Sequence, residues 1–254
     1  MASLTKIVLG NLLVAAGAFV ACVSSATHAA DATTANVATF SSLSAGATIK
    51  RWTVQTFRSV KQASSYALVR DEQANAVVVE GTANASAAAL AHRLDADVRA
   101  TPILRFSWKV GNLLDSSNPR EKSGDDYAAR VYVTFASDPT RESFRERAEN
   151  AIAQALYKET PPHAALTYVF THKAVRGDII TSPYTSRARM IVVDADPASV
   201  GQWKSFTRDV YEDYKRAFGE EPTRISGIAI MVDADNTGDK ASARFGDISL
   251  MAKP

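Results

Sequence analysis

Residues 224–254, RISGIAIMVDADNTGDKASARFGDISLMAKP, decide the fold class. Residues 225–232 and 245–251 are short apolar runs with small residues interleaved, and the polar stretch 233–240 between them contains Asn236, Thr237 and Gly238. Apolar runs of this length on either side of an Asn-Thr-Gly turn predict two antiparallel strands joined by a loop.

The same period recurs upstream. Leu104, Phe106, Trp108 and Val110 alternate with Arg105, Ser107 and Lys109, which places four apolar side chains on one face of a strand. In SGDDYAARVYVTF, residues 123–135, Ala129, Val131, Val133 and Phe135 point one way and Arg130, Tyr132 and Thr134 the other. As neighbours, these two strands would share a polar face carrying Arg105, Lys109, Arg130 and Tyr132. Residues 52–57, 66–70, 76–80, 166–171, 189–194 and 203–207 predict further strands. The segment 83–94 is rich in helix-favouring alanine but sits among strand signals and is assigned to strand.

Two segments change to helical spacing. In 138–162, Phe144, Ala148, Ala151, Ile152, Ala155 and Leu156 form a stripe, with Ser143 and Glu146 as a capping box and Pro161 and Pro162 as a stop. Asp209 caps a second helix with Val210, Tyr214 and Phe218 on one face, ended by Gly219. About eleven strands, two inserted helices and no regular βαβ alternation predict an all-β protein, a mainly antiparallel β-sandwich of the jelly-roll kind.

The N-terminus is a different kind of sequence. Lys6 precedes an uncharged apolar run, 7–23, and small residues including Ser24, Ala26 and Ala29 follow, which is the pattern of a secretory signal peptide. The expected organisation is a signal peptide over 1–30, a flexible arm over 31–48 and one β-sandwich domain over 49–254. The expected location is periplasmic or secreted, with no membrane span in the mature form. Cys22 is the single cysteine. Removal of the peptide leaves no disulfide, and lipidation at Cys22 is the alternative, although Phe19, Val20 and Ala21 fit a lipobox poorly. A net charge of +2, with acids and bases nearly balanced, gives no basis for nucleic-acid binding.

The blocks ILRFSWKV, GDDYAARVYVTF, YVF, SPYT, GQWKSFTRDVYEDYKRAFGEEP, GIAIMVDADNTG and ARFGDISL resemble a bacterial family known only as domain of unknown function 3047, over about residues 49–251. That resemblance implies no particular reaction. A looser similarity, in the Trp203 strand, the 225–232 strand and the final GDISL, is to galactose-binding-like carbohydrate modules. It implies a jelly-roll sandwich, and a fold alone does not assign a function.

Several residue groups carry possible chemistry. Asp233, Asp235 and Asp239, with Asn236 and Gly238, form an oxygen-rich loop that either shapes a turn or holds a structural calcium. It is not an EF-hand, because Arg244 stands where the closing Glu would be. No other cofactor is indicated: His92, His163 and His172 lack short metal-binding spacing, and no Gly-x-Ser-x-Gly or phosphate-cradling loop is present. Asp125 and Asp126 are a candidate acid and base, although adjacent residues on a strand face opposite ways. Asp126 and Arg130 differ by an even number, so they, Tyr132, Arg105 and Lys109 are the candidate ligand-binding set. The leading expectation is a non-catalytic exported module for a glycan or other polar envelope ligand. The alternatives are a polysaccharide-acting enzyme using Asp125 or Asp126, and a structural subunit that binds another envelope protein.

Overall fold

The computed structural model describes residues 34–138, 140 and 162–254. The N-terminal signal pattern and nearly all of the helix expected over 138–162 lie outside the described residues. The rest forms two seven-stranded sheets packed face to face. The first contains β1 (Thr34–Ala38), β3 (Ser65–Asp71), β4 (Ala76–Asn84), β6 (Ile103–Val110), β11 (Trp203–Asp209), β13 (Lys240–Phe245) and β14 (Ile248–Met251). The second runs β2 (Thr53–Thr56), β5 (Ala87–Ala96), β12 (Ile225–Asp233), β7 (Arg130–Phe135), β8 (Ala164–Phe170), β10 (Ala188–Asp194) and β9 (Ile179–Thr181). Every pairing is antiparallel except β8 with β10. The all-β sandwich is thus as the alternating pattern predicts.

The core is where that alternation meets itself. Leu104, Phe106, Trp108 and Val110 of β6 and Val131, Val133 and Phe135 of β7 are all buried in one cluster between the sheets. Trp108 has no exposed surface, and its ring lies 4.9 Å from Phe206 and 5.3 Å from Phe106. Trp52 and Trp203 are half-buried. The single described α-helix, α1 (Val210–Phe218), starts at Asp209, whose carboxylate accepts the Glu212 N–H, and ends at Gly219 with φ +74°. Its Tyr214 is buried against Phe135 at 4.5 Å. No helix among the described residues is long and apolar enough to cross a membrane.

Three expectations change. The two runs in 224–254 are not a paired hairpin: β12 belongs to the second sheet and β13 to the first, so the Asn-Thr-Gly loop crosses between sheets. A central strand such as β12, with β5 and β7 on its two edges, has no edge free for its successor. The segment 83–94 is likewise not one strand, because the chain passes from β4 into β5 at Ala85 and Ser86 and changes sheet there. These two crossings sit side by side, with Ala234 N–H donating to Ser86 O at 3.0 Å and Ala85 N–H to Asp239 O at 2.8 Å. Finally, part of the N-terminal arm is docked. β1 pairs with β14, and Phe40 is buried.

β13 and β14 share one edge of β6, interrupted at Gly246. The Gly246 N–H reaches Ser107 O at 3.0 Å, and a Cβ on Gly246 would stand 2.4 Å from Ser107 Oγ. A side chain at that rung would therefore have to turn the Ser107 hydroxyl aside, with the next atoms 3.8 Å away.

Because Trp108 fills the centre of the core, Trp108→Ala is expected to cost about 3 to 5 kcal/mol. Urea unfolding of the two proteins, followed by circular dichroism, checks this.

Candidate functional site

With Val131 and Val133 facing the core, the pleat of β7 sends Arg130, Tyr132 and Thr134 to the outer face of the second sheet. Next to them on β12, Met231 pairs with Arg130 in register, and Asp233 lies on the same outer face two residues on. Arg130 is 5% exposed and Asp233 1%. The guanidinium grips Asp233 with both forks: Nε donates to Oδ1 at 2.8 Å and Nη2 to Oδ2. It also donates to the Asp125 backbone carbonyl, and its Nη1 stands 3.3 Å from Asp125 Oδ2. The Tyr127 ring lies under it at 4.1 Å.

Asp126 is bound by the loop after β12. Its Oδ1 accepts the Asn236 N–H and side-chain amide at 3.2 and 3.1 Å, and its Oδ2 accepts the Thr237 N–H and hydroxyl at 2.6 and 2.7 Å. Four donors on one buried carboxylate fasten the β12–β13 crossing to the segment before β7. Gly124 places that segment, since a Cβ there would stand 2.5 Å from the Asn118 backbone nitrogen.

Above these residues is a cavity of about 270 Å³. Arg130, Tyr132, Met231 and Asp233 come to it from the sheet. Phe57, Val60 and Tyr184 line it from two loops, with Asp125, Asp235 and Asn236 completing the wall. Phe57 is 40% exposed and Tyr184 53%. The Tyr184 hydroxyl donates to Asn236 Oδ1 at 2.9 Å, tying the ring's loop to the β12–β13 crossing.

The structure thus brings Arg130 and Tyr132 to one cavity, leaves Asp126 out of its lining, and separates Arg105 and Lys109 from it. The expected shared polar face does not exist, because β6 and β7 lie in different sheets and their outer faces look away from each other. Arg105 is exposed on the first sheet. Lys109 is committed to Asp71, a fully buried carboxylate that also takes Arg244 at 2.6 Å and the Trp203 indole N–H at 3.1 Å. Nor do Asp126 and Arg130 pair: Arg130 takes its partner from Asp233 of β12. Sequence reading passed over Phe57 and Tyr184, whose only signal is a large aromatic at a predicted strand end or in a Pro-containing loop.

Burial governs the acids. Desolvation, reinforced by Asp126 and Asp125 and opposed by Arg130, pushes the Asp233 carboxyl up to about 7. Burial raises Asp125 against the pull of Arg130, and burial with the nearby Asp126 raises Asp235. Carboxylate oxygens of Asp126, Asp233 and Asp235 lie within 4.8 Å of one another; Asp239 is not in the group. These residues do not fit calcium, whose six to eight oxygen ligands include several carboxylate or carbonyl oxygens supplied by the protein. Asp126 already accepts four hydrogen bonds and both oxygens of Asp233 are held by Arg130.

The family described as "Protein of unknown function (DUF3047)" matches residues 50–249. No curated protein matches the chain. Among solved structures, the family 30 carbohydrate-binding module of a cellulosomal cellulase of Clostridium thermocellum is similar over 87% of this chain and 98% of its own, with 8% identity and a TM-score of 0.43.

Two outcomes are expected from this geometry. Arg130→Ala leaves two buried acids unpaired and should cost about 3 to 5 kcal/mol in urea unfolding. The raised carboxyls hold protons in the folded state that the unfolded chain releases above its ordinary value near 4. Stability should therefore fall as pH rises from about 4 through about 7. Denaturation curves across that range check this, and Asp125→Asn, lacking one of the raised groups, should show a shallower slope.

Proposed function

The chain belongs to the DUF3047 family, and starting from its site we propose that it is a non-catalytic module that binds a glycan or other polar envelope ligand in the cavity outside the second sheet. One observation carries this reading: two exposed aromatic rings, Phe57 and Tyr184, flank a floor of polar groups already fixed by one another. Rings of this kind present an apolar face to the C–H side of a sugar, while nearby polar groups set its orientation. At about 270 Å³ the cavity takes one small unit of a ligand. Export is part of the proposal and is supported by the charged start, apolar run and small-residue exit over 1–30.

The same geometry disfavours hydrolysis. Glycoside cleavage needs two carboxyl groups on either side of one bond. Here Asp126 is saturated and does not line the cavity, Asp233 is held by Arg130, and Asp125 is buried. Asp235 alone of these four is more than slightly exposed.

The test is a glycan screen followed by calorimetry with the wild type and Tyr184→Ala. The variant should melt within a few degrees of the wild type, since surface changes cost about 0.5 kcal/mol or less. It should bind about tenfold or more weakly, as expected for loss of an aromatic anchor. Release of reducing ends from any bound polysaccharide would overturn the non-catalytic reading.

A further inference from the structure

The charge around the cavity is unbalanced. Asp125, Asp233 and Asp235 line it, and Arg130 is the one cationic side chain among the described lining residues. Arg130 is consumed chiefly by Asp233, in a two-point grip. Its contact with the Asp125 carboxylate is a single long one at 3.3 Å. The other oxygen of Asp125, Oδ1, is buried with no hydrogen-bond partner. Asp235, half-buried at the wall, has no side-chain partner among the described residues, and a carboxylate oxygen of Asp126 stands within 4.8 Å of it. On their own these crowded acids are relieved by holding protons, and a cationic ligand beside them would instead let them ionise.

Three kinds of ligand could meet this surplus. An anion would face three carboxylates, and most of the Arg130 N–H groups are already used. A divalent ion lacks enough free oxygens, as shown above. An ammonium needs only about three acceptors and one charge partner, and it also suits aromatic rings, which attract cations over their faces. Tyr184 already does this for the Lys122 ammonium, 5.4 Å from its ring. Ser59 and Asn236, also on the wall, suit ring hydroxyls better than they suit an aliphatic side chain.

We propose that the unit held in this cavity is an amino sugar with its amine free, so that the ligand is a de-N-acetylated amino-sugar glycan whose ammonium is received by Asp235, with the buried Asp125 adding its charge from the same wall. This rests on the binding reading above and narrows it.

Calorimetry on the full folded domain tests it, using glucosamine oligomers, N-acetylglucosamine oligomers and glucose oligomers of equal length near pH 6. The glucosamine oligomer should bind at least about tenfold more tightly than the other two, a difference of about 1.4 kcal/mol. In Asp235→Asn that preference should vanish, while Tyr184→Ala should weaken binding of all three oligomers and reduce the preference without abolishing it. Equal or tighter binding of the acetylated or neutral oligomers would overturn the amine assignment and leave the glycan-binding reading standing. Tighter binding of a lysine peptide than of the amino sugar would overturn the sugar assignment. No binding of any oligomer would overturn the amino-sugar assignment, and the glycan screen would then decide the wider binding reading by itself.

Discussion

A guanidinium with almost no access to water holds one end of this sandwich together. Arg130 leaves β7, spans to Asp233 on β12, and reaches Asp125 in the segment that leads into its own strand. An ion buried this deeply gains stability only when its partners are fixed to match it. The fixing comes from Asp126, which binds the β12–β13 loop through Asn236 and Thr237. The loop in turn leans on the other sheet crossing at Ala85 and Ser86. One connected set of polar contacts therefore does two jobs: it closes the end of the fold, and it forms the floor of the cavity.

The sequence showed which residues face inward and not which strands are neighbours. The period of two in 103–110 and 130–135 places Trp108 and Val131 in the core whatever the topology. Whether Arg105 and Arg130 share a face depends on which sheet each strand joins, and no local pattern encodes that. The final stretch shows the limit clearly. Its strands and loop are legible in 225–251, but a loop that reverses the chain within one sheet and a loop that passes to the facing sheet use the same Asp, Asn and Gly residues. By contrast the helix at 210–218 was readable to its caps, because Asp209 and Gly219 act within one turn of the chain.

The site was half-legible for the same reason. Even spacing correctly put Arg130 and Tyr132 on one side of β7. It also suggested Asp126 as the partner of Arg130, when the actual partner, Asp233, lies 103 residues away. Asp239 looked like a companion to Asp233 and Asp235, but Asp126 occupies that place in space. Phe57 and Tyr184 become a pair only once the segment after β2 and the loop after β9, strands at opposite edges of the second sheet, come to the same cavity.

The pairing of β1 with β14 places Thr34 opposite Met251, so the first and last strands of the domain are adjacent. A chain emerging from its N-terminus cannot complete the first sheet until its final strand has appeared, and contacts this distant in sequence make closure slow. Mechanically, a pull applied at those two residues would load the ladder one rung at a time and peel it open from that end, not shear all its hydrogen bonds together. The seam between the two ends is thus the first part of the ladder that tension at those residues would release.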